Sequence, residues 1–238
     1  MAGGGGKEQA DLPMMLRRLF PVLAVALVSS ASSWALDLER AGSPWLFGAM
    51  VLAELAALAL GLVALRGDTD LAAAWTPRWG DLRNGFLAAV IAWAVATFGA
   101  RALAGSGAFD GQLLRLYVQV GPVGPQPSAL FVLGVVIVAA LEESVWRWLV
   151  PRALEAFVPR RVAWMLAAVL FAIAHLPAAK AMSFGGSPHL ILPAAALALG
   201  LFLGAFATAV GRVVPGFFAH VLFDVAILGP FALVQLNP

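Results

Sequence analysis

The chain has 238 residues, of which 62% are hydrophobic and 12% charged, and its mean hydropathy is +0.91. Soluble domains carry about 25% charged residues, so this composition argues against a soluble protein and for a polytopic membrane protein short enough to form one compact bundle. No cysteine is present, which excludes disulfides and thiolate metal sites, and a formal charge of +2 is too small for a nucleic-acid surface.

Residues 1–13, opening MAGGGGKEQAD, read as a mobile polar tail. The first apolar run, Met14–Leu36, has signal-peptide features: Arg17 and Arg18, then LFPVLAVALV, then SSASS. Because many spans follow, an uncleaved first helix is expected. A spanning helix needs about 20 apolar residues. Further spans are predicted at Pro44–Leu65, Asn84–Leu103, Ser128–Val150, Val162–Leu176, Leu190–Val210 and Val213–Leu228. The fourth is expected to run past Pro151 towards Val158, and the fifth and seventh are short for full spans. The fold class is thus all-α, a bundle of about seven transmembrane helices. An eighth span is added if the apolar end through Leu236 or LLRLYVQV at 113–120 inserts, although the latter reads better as an interfacial segment.

Basic residues in the connections set the orientation. Lys7, Arg17, Arg18, Arg66, Arg78, Arg83, Arg152, Arg160, Arg161 and Arg212 fall on one side, and Arg40, Arg101, Arg115 and Lys180 on the other. The N-terminus is therefore expected in the cytoplasm. Gly200 and Gly204 form a GxxxG pair in the sixth span, read as a close helix contact inside the bundle rather than a dimer face.

Ionisable residues at membrane depth are costly, so each is a candidate for function. They are Glu54, Glu142, Glu143, Arg147, His175, His220 and Asp224, and all but Glu54 fall in the last hundred residues. Glu143 and Arg147 stand i,i+4 on one helix face and predict an ion pair, which leaves Glu142, about 100° round the helix, free to face elsewhere. His220 and Asp224 share a face in the same way, as do Phe171 and His175. Glu54 has no partner that the sequence can name. His189, after SFGGSP at the mouth of a span, reads as interfacial. If the chain turns at Pro159 and Arg160, Glu142 and His175 both lie roughly 23–26 Å from the turn at about 1.5 Å per residue, so a hairpin brings them to one level. His220 lies about 12 Å past Arg212, and reaches that level if the hairpin projects beyond the membrane.

Three motifs then stand in order: EESVWR at 142–147 (EExxxR), FAIAH at 171–175 (FxxxH) and HVLFD at 220–224 (HxxxN/D). Over roughly residues 128–228 they resemble the CPBP family, the CAAX-processing and Abi-type intramembrane endopeptidases. The resemblance implies a catalytic core over residues 128–238, preceded by the helices and interfacial segment of residues 14–127. It implies that Glu142 and His175 activate a water, that His220 and Asp224 stabilise the oxyanion, and that Glu143, Arg147 and Phe171 organise the site. Asp224 departs from the family's common Asn. Only Asn, or a protonated Asp, donates to an oxyanion; an ionised Asp would instead fix His220, and the first role is preferred.

The chemistry agrees. A carboxylate in a low-dielectric site can act as general base, a neighbouring histidine can share the water, and a second can donate to developing charge. Two histidines and a carboxylate are also a zinc set, Glu142, His175 and His220, so zinc is the alternative to a metal-free site; HExxH is absent. The rival functions are a proton-coupled transporter, disfavoured because no repeat of broken spans is visible, and a non-catalytic Abi-like scaffold. The resemblance offers prenylated CAAX tails, bacteriocin leaders or the C-terminal sorting tails of myxosortase-like members as substrates. The expected partners are a membrane-associated protein or peptide and the lipid bilayer, and the expected location is a bacterial inner (plasma) membrane.

Overall fold

The structure, a computed structural model, describes residues 8–40, 43, 45–103, 111, 114–118, 129–181 and 190–228. Every long element among them is helical. In chain order they are α1 (Glu8–Ala35), α2 (Trp45–Ala64), the short α3 (Leu71–Ala74), α4 (Asp81–Leu103), α5 (Ala129–Ser144), a π-helical turn (Val145–Leu149), α6 (Val150–Leu154), α7 (Arg160–Ala174), α8 (Leu176–Ala181), α9 (Ile191–Val210) and α10 (Val214–Leu228). Six stretches are long and apolar enough to cross a membrane, with α5 to α6 and α7 to α8 each counting as one, and α10 is a shorter apolar helix. Among the described residues the protein is a polytopic helix bundle of six candidate spans, with the shorter α10 at the position expected for the seventh.

Boundaries differ in three places. The first helix begins at Glu8, inside the segment expected to be a tail, because Glu8, Gln9 and Ala10 are good helix formers that extend the apolar helix behind them. The fifth span is 22 residues long rather than short: α7 stops at His175, but the helix resumes at Leu176 and continues to Ala181. Residues 114–118 are helical, and the Tyr117 hydroxyl donates to the Ile227 carbonyl at 2.8 Å, which ties this segment to the end of α10.

The span Ala129–Leu154 is the most buried of the six and forms the axis of the bundle. Its core neighbours are Phe20, Ala24 and Val28 from α1, Ala57 and Ala64 from α2, and Ala167 and Phe171 from α7. Outside this axis α1 pairs with α2, α4 with α10, and α7 with α9. The Gly200–Gly204 pair faces α7: a Cβ at either position would come within 3.2 Å of Ala168 or Trp164. This is the internal packing that the small residues predicted. At the end of α9, Gly211 takes the left-handed conformation, φ 70°, that closes a helix and that glycine adopts most cheaply.

Proline explains the π turn. Pro151 has no N–H, and its ring would crowd the carbonyl of Arg147 four residues back in a regular helix. A wider turn relieves the clash, and the Val150 N–H reaches the Val145 carbonyl, five residues back. The wider turn also resets which faces the residues after Ser144 present.

The segment around α3 clasps the ends of two site helices. Asp70 caps α3 through the Ala73 N–H at 2.9 Å. The Trp75 indole donates to Ser144 Oγ at 3.0 Å, and that hydroxyl donates to the Ala140 carbonyl at 2.8 Å. Val213 N–H donates to the Ala74 carbonyl at 3.1 Å, and buried Arg212 pairs with buried Asp81 at the start of α4. The end of α5, beside Glu143, and the start of α10 are thereby held together.

Candidate active site

Glu142 and Glu143 are adjacent on α5, so their side chains diverge. Glu142 lines a central cavity of about 690 Å³, and Glu143, fully buried, points at α10. There Glu143 Oε1 lies 2.9 Å from His220 Nδ1 and 3.5 Å from Arg147 Nε. A carboxylate can only accept, so His220 Nδ1 carries the proton of that hydrogen bond. The other ring nitrogen, Nε2, lies 3.6 Å from Glu142 Oε2 and 3.5 Å from Asp224 Oδ2. His220 is thus the hub of the cluster, gripped from behind by Glu143 and facing the cavity beside Glu142 and Asp224.

Arg147 forms the predicted pair with Glu143 and lays its guanidinium 4.3 Å above the Phe171 ring. Among the described residues none of its nitrogens has a hydrogen-bond partner, so the charge is held by the carboxylate and the aromatic face. On α7, Phe171 also presents its ring to His175, with centroids 4.5 Å apart, and its carbonyl to His175 Nδ1 at 2.8 Å. A carbonyl only accepts, so Nδ1 of His175 is the protonated nitrogen and Nε2 keeps a free lone pair. His175 caps α7 where the helix breaks ahead of Leu176–Pro177, which places the ring on the cavity wall.

Glu142, Phe171, His175, His220 and Asp224 therefore line one cavity, contributed by three different spans. The remaining wall is apolar apart from Ser32, with Leu36, Phe47, Met50 and Leu199 among its residues. Glu143 and Arg147 stand behind this surface and hold it in shape. His189 lies outside the described residues. Among the described residues, no group of three His, Asp or Glu side chains is arranged to hold a metal ion.

Two features were not legible in the sequence. Glu54 does have a partner: its Oε1 accepts from the Trp146 indole at 2.9 Å. Gly216, one turn before His220 on α10, leaves room for Glu143, and a Cβ there would come 2.9 Å from Oε2. The spacing of Gly216 and His220 is the signal that could have found it, since i,i+4 residues share a face. Glu143 is clamped on both sides and cannot retreat. Gly216→Ala is thus expected to lower stability by about 1–3 kcal/mol, the usual cost of overpacking, as read by thermal melting in detergent; an unchanged melting temperature would show that Glu143 is free to move.

A model of the Rce1-like family, type II CAAX prenyl endopeptidases, matches residues 124–226. No curated protein and no solved structure matches the chain.

Proposed function

We propose that the protein, whose residues 124–226 match the Rce1-like CAAX endopeptidase family, is an intramembrane endopeptidase that cleaves a peptide bond near the membrane surface, in the C-terminal tail or leader of a partner protein or peptide. The observation that carries this reading is the convergence of Glu142, His175, His220 and Asp224 on one cavity with apolar walls. Those walls suit a substrate segment with aliphatic side chains.

In the proposed reaction a water is shared by Glu142 and Nε2 of His175. Glu142 removes a proton as the water oxygen bonds to the scissile carbonyl carbon, and the carbonyl electron pair moves to oxygen. His220, carrying a second proton on Nε2 while Glu143 holds Nδ1–H, and Asp224, as the protonated acid, donate to that oxyanion. The carbon–nitrogen bond then breaks, and the proton taken from the water returns to the leaving amine through His175. Glu143 keeps His220 aimed, Arg147 neutralises Glu143, and Phe171 fixes His175. We place the protein in a bacterial inner membrane on its composition, with its N-terminus in the cytoplasm on the distribution of basic residues.

The test is a proteolysis assay with purified protein on candidate C-terminal and leader peptides, beside Glu142→Ala. Cleavage by the parent and none by the variant is expected; equal products from both would reject the assignment. The mechanism uses no metal, so activity is expected to survive prolonged chelation. Loss on chelation, restored by one divalent ion, would establish the zinc alternative instead.

Asp224→Asn separates the two roles open to that residue. Glu143 already holds His220 through Nδ1, so the aim of His220 does not depend on Asp224. Asparagine keeps the size and can donate. The variant is expected to stay active and to extend the active range to higher pH, because nothing at this position must remain protonated. A folded but inactive Asn variant would assign Asp224 to holding His220 instead.

A further inference from the structure

We propose that Glu54, on α2 and outside the family-matched segment, is a positioning residue of the reaction site: through Trp146 and Phe171 it holds His175 in place. The proposal rests on the endopeptidase reading above.

A fully buried carboxyl in the middle of an apolar span is costly, and α2 has no other ionisable residue. Its contacts lead towards the cavity. Glu54 Oε1 accepts from Trp146 Nε1 at 2.9 Å. The Trp146 ring, buried in the core, meets Phe171 edge-on with centroids 5.6 Å apart. Phe171 in turn carries the Arg147 guanidinium on its ring and fixes His175 through its ring and its carbonyl. Four side chains thus run in one contiguous line from α2 to the histidine that faces the cavity.

The position of Trp146 explains why a tether is needed. It lies in the π turn, where the backbone departs from the regular helical ladder, so the direction of its side chain is less firmly set by its neighbours along the chain. A hydrogen bond from a separate helix fixes the indole plane, and with it the surface on which Phe171 rests. What this role needs from residue 54 is an acceptor. Glu54 also lies within electrostatic reach of Glu142, Arg147 and His220, so a role exerted through its charge is the competing account.

Glu54→Gln and Glu54→Met separate the two. Gln keeps the acceptor and loses the charge, whereas Met keeps the length and loses both. On a peptide cleaved by the parent, Glu54→Met is expected to lower kcat by up to about 100-fold with KM unchanged, the scale of a small misplacement of a catalytic group. Glu54→Gln is expected to remain near the parent. Adding Glu54→Met to Trp146→Phe should lower kcat no further, because both remove the same hydrogen bond. If Glu54→Met does not fold, Trp146→Phe takes its place with the same expectation. Full activity in Glu54→Met, an equal loss in Glu54→Gln, or additive losses in the double variant would each overturn the proposal.

Nitrogen-15 spectra of the histidine rings give a readout that needs no substrate. The Nδ1–H signal of His175 is expected to shift or broaden in Glu54→Met and to stay in place in Glu54→Gln. An unmoved signal in Glu54→Met overturns the positioning role even where no cleaved peptide is in hand. A parent chain that cleaves nothing, with His175 responding as expected, overturns the endopeptidase reading alone.

Discussion

Glu142→Gln is expected to abolish cleavage while leaving the bundle folded. The substitution keeps the shape of a buried side chain at the cavity wall and removes its ability to take a proton. General-base catalysis by a positioned side chain is worth about 10²–10⁴-fold. Glu143 cannot substitute, since it is fully buried and already engaged by His220 and Arg147. His175→Ala is expected to have a comparable effect, because the Phe171 carbonyl holds Nδ1 and leaves Nε2 as the nitrogen available to the water. Single-turnover cleavage, with thermal melting as the check on folding, measures both. Near-parent turnover in either folded variant would remove Glu142 and His175 from the proposed chemistry.

Arg147→Ala carries the largest expected effect on stability. Removing one partner of a buried ion pair leaves the other charge uncompensated, at a cost of about 3–5 kcal/mol. Two features of the site move the figure within that range. Glu143 keeps one partner, the Nδ1–H of His220, and the guanidinium itself has no hydrogen bonds to lose among the described residues. The variant also loses the cation above Phe171, whose worth reaches about 2 kcal/mol when desolvated. The loss is therefore expected near 3 kcal/mol, and well above that of Glu142→Gln, which exchanges one buried polar group for another of the same shape. Melting the two variants in the same detergent compares them directly. Equal melting temperatures would contradict a structural role for Arg147.

Much of this was legible because the bilayer imposes simple rules. Apolar length alone located the spans, with α2, α4, α9 and α10 each starting or ending within a few residues of the expected positions. Helical spacing alone paired Glu143 with Arg147 and put His220 and Asp224 on one face. Both are local properties: a helix must satisfy its own backbone in lipid, and i,i+4 neighbours meet in any helix. Order along the chain also carried the family resemblance, because EExxxR, FxxxH and HxxxD each lie within one or two turns of one apolar stretch.

The tertiary structure decided what lies across helices. No spacing relates Glu143 to His220, 77 residues apart, or Glu54 to Trp146, 92 apart, or Asp81 to Arg212, 131 apart. Helical spacing put His220 and Asp224 on one face. It did not show that Glu143 grips His220 from behind, nor that Gly216 makes room for that grip. The π turn was equally hidden: the fourth helix was expected to run past Pro151, but whether a chain kinks, widens or ends at a proline depends on what packs against it. The sequence by itself therefore determined the long apolar helices, their rough bounds and the residue types available for chemistry, because hydrophobic length and helical period act within one segment. Which carboxylate faces the cavity and which supports a histidine was settled only when separate spans packed, because a buried polar group is satisfied by whatever neighbour the fold supplies.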